Sequence, residues 1–219
     1  MTGRELRFRL PGRWFSVDLS SPTATDASIR RIAREAVGPA DDRAADRATV
    51  RQRLHEAVRA GAGGDIRALM FASELAPGTP LPLTLLVFEP GDLRMSPAIG
   101  TAPDRVLGVM TEALARLDPG AHASLAEVRG PGVPALRTHR VDLLDGDGMD
   151  GVARLSADYW VPVPDAKRML VVRLSTPLGD LEHLMLGLFD ELVAAAFFAA
   201  DRPASLRDRL RARTPPAHA

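Results

Sequence analysis

The sequence predicts an α/β (α+β) protein, a mainly antiparallel β-sheet sandwiched by helices on both faces. Three observations carry this. Two strand-length runs, "IRALMFASEL" and "LPLTLLVFEP", are apolar on both faces and need cover on both sides. The segment "VARLSADYWVPVP" alternates with period two and is followed by a short turn and a returning run, "RMLVVRLSTP". Segments of helical spacing flank these runs on either side.

In chain order, "FRLPGRWFSVDL" reads as a pair of extended stretches about a Pro-Gly turn, with Phe15, Val17 and Leu19 on one face. Asp26 is the expected cap of a first helix carrying Ile29, Ile32, Ala33, Ala36 and Val37. A second helix is expected from Asp42 to Ala60, with Val50, Leu54, Ala57 and Val58 as its buried edge. So thin an apolar stripe places this surface helical pair, residues 26–60, half exposed against a sheet. "GAGGD" ends it, since glycine adopts the left-handed cap conformation at little cost. After the two apolar strands, a helix is predicted from Pro103 to Leu117 on the spacing of Val106, Val109, Met110, Ala113, Leu114 and Leu117. "ASLAEVRGPGVPALRTHRVDLL" reads as two strands joined at "GPG". In the next strand Ala153, Leu155, Ala157, Tyr159 and Val161 face one way, and Arg154, Ser156, Asp158 and Trp160 the other. A last helix from Asp180 to Ala199 carries a stripe from Leu181 through Leu184, Met185, Leu188, Phe189 and Leu192 to Phe197. The expected organisation is one domain over residues 1–200 and an Arg-rich flexible tail over 201–219.

Composition narrows the function classes. Hydrophobic residues make up 46% and charged residues 26% of 219, an ordinary globular balance. Formal charge is zero, without the basic surplus usual in nucleic-acid binders, so nucleic acid is not the expected partner. The absence of cysteine excludes disulfides, thiol catalysis and thiolate metal sites. The amino-terminal stretch is charged and has no apolar leader-like core. The greasiest run, "LMLGLFDELVAAAFFAA", is interrupted by Asp190 and Glu191 and is too short to span a bilayer. A cytoplasmic protein is expected.

Motifs for chemistry fail on inspection. "LHEAVR" begins like a zinc-protease helix, but the second ligand position is Arg59. "DGDGMDG" supplies Asp145, Asp147 and Asp150, yet a calcium loop counted from Asp145 would need Gly where Asp150 stands and Glu where Ser156 stands. "GAGGD" lacks the Gly-Lys-Ser/Thr ending of a phosphate loop and follows a helix rather than a strand. His139 with Asp142, and His183 with Asp180, are candidate structural pairs. No catalytic residue, metal ligand or cofactor is assigned. The candidate partner-binding residues are Trp14 and Trp160, each in the more polar phase of its strand, and Arg207, Arg209 and Arg211 of the tail. For the two tryptophans, burial under helices on both faces is preferred over an exposed aromatic patch.

Leu10-Pro11 with Trp14, Tyr159 to Pro164, and Leu174 to Pro177 resemble the signposts of an uncharacterised family of actinobacterial cytosolic proteins. More loosely, the order of elements over residues 6–199 resembles the PsbP-like α/β/α sandwich. That fold includes a photosystem II extrinsic subunit, a Ran-binding release factor, mycobacterial lipoproteins and adaptor chaperones of secretion effectors. The resemblance implies a non-enzymatic partner-binding or adaptor protein, its partner another protein. The alternatives are a small-ligand binder or enzyme with an unrecognised pocket, and a nucleic-acid-associated factor using the tail. An Arg-lined pocket would favour the ligand binder, and a flat apolar groove the adaptor.

Overall fold

The computed structural model describes residues 5–61, 63–91, 93, 100–130, 133–144 and 151–199. The elements are β1 (Glu5–Arg7), β2 (Arg13–Ser16), α1 (Pro22–Val37), α2 (Ala44–Ala60), β3 (Gly64–Ala76), β4 (Thr79–Pro90), α3 (Pro103–Leu117), α4 (Pro119–Ala123), β5 (Ala126–Val128), β6 (Ala135–Leu144), β7 (Val152–Pro162), β8 (Met169–Thr176), α5 (Glu182–Ala194) and β9 (Phe197–Ala199). Short 3₁₀ turns at Asp41–Arg43 and Gly179–Leu181 lead into α2 and α5.

Seven strands form one sheet in the order β2-β3-β4-β8-β7-β6-β5, antiparallel throughout. The doubly apolar β4 lies at its middle. Leu83, Leu85 and Val87 enter one core and Leu86 the opposite one. On the first face α5 lays Met185, Phe189, Leu192 and Val193 over the inward phase of β4, β8 and β7. The second face is covered in two places. Ile29 and Ile32 of α1, with Val50 and Leu54 of α2, pack on Phe15, Val17, Leu69, Phe71 and Leu86. Val106, Leu107, Met110 and Leu114 of α3 pack on Leu136, Met169 and Trp160. Burying each large side chain of this kind contributes roughly 1.5–3 kcal/mol, so each helix is anchored by its own cluster.

The predicted sandwich is therefore the observed one, with local differences. Ser21, not Asp26, caps α1: its Oγ accepts from the Ala24 N–H at 3.1 Å, and Pro22 occupies the first turn. β1 and β2 flank the Pro11-Gly12 turn but do not pair with each other; β1 joins β9 and β2 joins β3. The last helix stops at Ala194 rather than Ala199, because Phe197–Ala199 pair with β1. An apolar run of that length cannot be divided between helix and strand by periodicity, and the unpaired edge of β1 decides it. The stripes are also narrower than the spacing implies. Leu117 is 85% and Leu184 69% exposed, whereas Leu107, outside the predicted stripe, is buried. Among the described residues, no helix is long and apolar enough to cross a membrane.

Candidate functional site

Beside α2, the second face of the sheet opens onto a cleft. The register stacks its side chains in rows across β4, β8, β7 and β6, since every second residue of a strand shares a face. Phe88, Val171, Trp160 and Leu136 form an apolar row. Leu86, Arg173, Asp158 and Thr138 form the next, followed by Thr84, Ser175, Ser156 and Arg140. Arg154 opposite Asp142 comes after them. Leu136 and Trp160 of the apolar row pack under α3, and Phe88 packs against the α1–α2 cluster. Thr84, Ser156, Ser175, Arg140, Arg154 and Arg173 floor an open cleft walled by Arg53, Glu56, Ala57 and Ala60 of α2.

The cleft is an electrostatic arrangement built from two helical turns and three strands. Arg173 grips Asp158 through two bonds, Nε to Oδ1 at 2.6 Å and Nη2 to Oδ2 at 2.7 Å, which holds its guanidinium more firmly protonated than usual. Arg140 Nε donates to Asp142 Oδ2 at 3.0 Å. Arg154 is bound less closely: Nη2 lies 3.5 Å from Asp142 Oδ2 and Nη1 3.7 Å from Glu56 Oε2. Its Nε is buried and meets no hydrogen-bond partner among the described residues. Gln52 donates to the other oxygen of Glu56 at 3.2 Å and orients that carboxylate. Burial lowers the pKa of Arg53, with Glu56 opposing the shift.

Arg53, Arg140, Arg154 and Arg173 share this region with Glu56, Asp142 and Asp158. The described lining contains hydroxyls and guanidinium groups but no His, Cys, Lys or Tyr. Such a surface can bind and orient an anion. Among the described residues, no group of three or more His, Cys, Asp or Glu could hold a metal ion.

The two tryptophans lie apart. Trp14, on edge strand β2 opposite Ala72, packs beside the first-face core, and its Nε1 donates to the Pro11 carbonyl at 2.7 Å. Trp160, on β7, is partly buried beside the α3 cluster on the second face, its Nε1 buried with no partner among the described residues. Opposite faces and distant strands prevent one shared aromatic patch. Arg207, Arg209 and Arg211 lie outside the described residues, as do Asp145, Asp147 and Asp150. His139 reaches Glu182 Oε1 at 2.8 Å instead of Asp142. Among the described residues, no ion pair joins His183 to Asp180.

Sequence reasoning passed over Arg53, Arg140, Arg154 and Arg173. The available signal was the outward phase of β7 and β8. Arg154, Ser156 and Asp158, with Arg173 and Ser175, are polar residues on central strands whose other phase is mostly apolar and buried.

No family model matches the chain, and no curated protein matches it. Among solved structures, it is similar to LpqN, involved in cell envelope biogenesis of Mycobacterium tuberculosis. That match has 12% sequence identity, covers 90% of this chain and 86% of that one, and has a TM-score of 0.38. At this identity and TM-score the likeness says nothing about function.

Proposed function

We propose that this chain is a binding protein that takes a small organic ligand in the arginine-lined cleft. The observation that carries the reading is the cleft beside α2, where polar side chains on central strands meet an apolar wall at an open concavity. A lining of paired guanidinium groups and hydroxyls supports holding a ligand rather than transforming it. The test is native mass spectrometry and thermal unfolding of the protein against a library of small organic acids, amides and alcohols. Wild type is expected to retain ligands and gain thermal stability. Ala60→Trp, which places an indole at the cleft wall, is expected to lose both effects. Equal retention by Ala60→Trp removes the cleft from the argument.

A partner-protein reading is favoured by a separate observation. β5 covers only Ala135–Arg137 of β6. Farther along, the His139 N–H donates to Ser124 Oγ at 2.9 Å, while Val141 is 41% and Leu143 68% exposed on the strand edge. An exposed edge with apolar alternate side chains suits an added strand from an adaptor's client. A protein captured by wild type and released by the Val141→Asp, Leu143→Asp variant supports it; equal capture by both opposes it. The antiparallel sheet with helices on both faces supports the PsbP-like comparison, and a cytoplasmic location remains part of this proposal.

A further inference from the structure

Resting on the cleft reading, we infer that its ligand is an organic monoanion: a carboxylate on an apolar body, with Arg154 as the group that grips the carboxylate. Arg154 is held less closely than Arg140 or Arg173 of the same cleft. Its two bridges run at 3.5 and 3.7 Å, and its buried Nε has no partner among the described residues. Arg173, by contrast, spends its fork on Asp158. A planar carboxylate fits a planar guanidinium through two parallel bonds. Ser156, two residues along β7 on the same face, and Ser175 across from it bring hydroxyls beside that position.

The charge balance selects a monoanion. A carboxylate brings one negative charge to Arg154, whereas a phosphate dianion would bring two beside Glu56 and Asp142, which already lie near it. The rest of the lining selects the body of the ligand: Ala57, Ala60, Phe71, Leu86 and Pro177 line the cleft with carbon.

The probes are octanoate, 4-phenylbutyrate, octanamide and octyl phosphate, measured by titration calorimetry at low salt. Wild type is expected to bind the two acids, with octanamide weaker by roughly 30-fold and octyl phosphate also weaker, as loss of a charge-assisted pair implies. Arg154→Met is expected to lose roughly 30-fold for octanoate and little for octanamide. Glu56→Gln removes a competing carboxylate and is expected to tighten octanoate by about 5-fold, a gain that misfolding cannot imitate. Octanamide binding as tightly as octanoate overturns the monoanion while leaving the cleft intact, provided Ala60→Trp still blocks both. So does octanoate binding unchanged in Arg154→Met and Glu56→Gln. Octyl phosphate binding more tightly than octanoate overturns the carboxylate assignment alone. Failure of wild type to bind either acid or amide, or binding that Ala60→Trp leaves unchanged, overturns the cleft reading itself.

Discussion

Arg173 and Asp158 face each other across β8 and β7 as a two-bonded pair, with side chains only 22% and 15% exposed. The Arg173 guanidinium also lies 5.6 Å from the centre of the Phe88 ring. The pair divides the second face: the apolar row is on one side of it and the hydroxyl row of the cleft on the other. Removing one partner leaves a desolvated charge, which costs more than the pair itself contributes. Asp158→Asn is therefore expected to lose about 2 kcal/mol in urea unfolding. Asp158→Leu combined with Arg173→Met is expected to recover most of that loss, since Leu86 and Val171 are already adjacent. A double variant no better than the single one would mean that the pair supplies net stability.

Tyr159 is buried on the first face, and its hydroxyl donates to Asp190 Oδ1 at 2.7 Å. Arg137 donates to the other oxygen of Asp190 at 2.5 Å, so one carboxylate ties α5 to both β7 and β6. Burial, followed by the hydrogen bond to Asp190, raises the phenol above its ordinary 10.0. A group whose pKa is higher in the fold contributes stability below its unfolded value and loses it as pH rises beyond. Stability is thus expected to fall above pH 10 by up to about 1.4 kcal/mol per pH unit from this group. Tyr159 is the only tyrosine, so phenolate absorbance reads it directly. Native protein should show no phenolate near pH 10.5, and urea-unfolded protein a large signal. A native titration at the ordinary value would contradict the burial. Tyr159→Phe is expected to lose about 1 kcal/mol at pH 7 and to flatten the alkaline slope.

Much of this framework is legible in the chain. Period two separated Tyr159 from Trp160 and assigned them to opposite faces, where they lie. Pro103 marked the start of α3. What escaped depends on distance. Phe197 continues a helical spacing, yet joins a strand because β1, far away in sequence, offers an edge. The cleft is less legible still: Arg53, Arg140, Arg154 and Arg173 have no common spacing and meet only through the pairing of β6, β7 and β8 under α2. Alternation told which phase of β7 was polar. It could not tell that the helices cover Trp160 in that phase but leave Arg154 and Ser156 facing a cleft.

Glu89, at the end of β4, accepts from Arg168 Nε at 2.7 Å, from Arg168 Nη2, and from Arg67 Nη2 at 3.0 Å. The Arg168 hydrogen bonds, and secondarily Arg67, hold its carboxyl below the ordinary 4.5. A depressed carboxylate contributes stability above its unfolded value, lost as pH falls through the folded one. Glu89→Gln is expected to cost about 1 kcal/mol at pH 7 and progressively less below pH 4.5. Denaturation at pH 7 and pH 3 tests this. A difference that stays constant across that range would assign the loss to packing rather than charge.

Gly12 sits in the turn before β2 with φ at +77°, and a Cβ there would lie 2.4 Å from the Glu74 carbonyl oxygen and 2.5 Å from that of Leu75. Gly78, in the β3–β4 hairpin, has nearly the same φ of +76° but nothing within 4 Å of a Cβ. The two positions separate backbone conformation from contact. Gly78→Ala pays only for the left-handed backbone, about 1 kcal/mol. Gly12→Ala adds a clash with backbone that can be relieved only by moving the turn off β3, so its expected cost is about 3 kcal/mol. The displacement would also disturb Trp14, which follows the β-bulge between Arg13 and Trp14 and donates back to Pro11. Urea unfolding gives the two losses, and tryptophan emission of the folded variants reports the turn. Equal losses would mean that β2 can shift along β3 without penalty, and that the amino-terminal turn does not fix the position of Trp14.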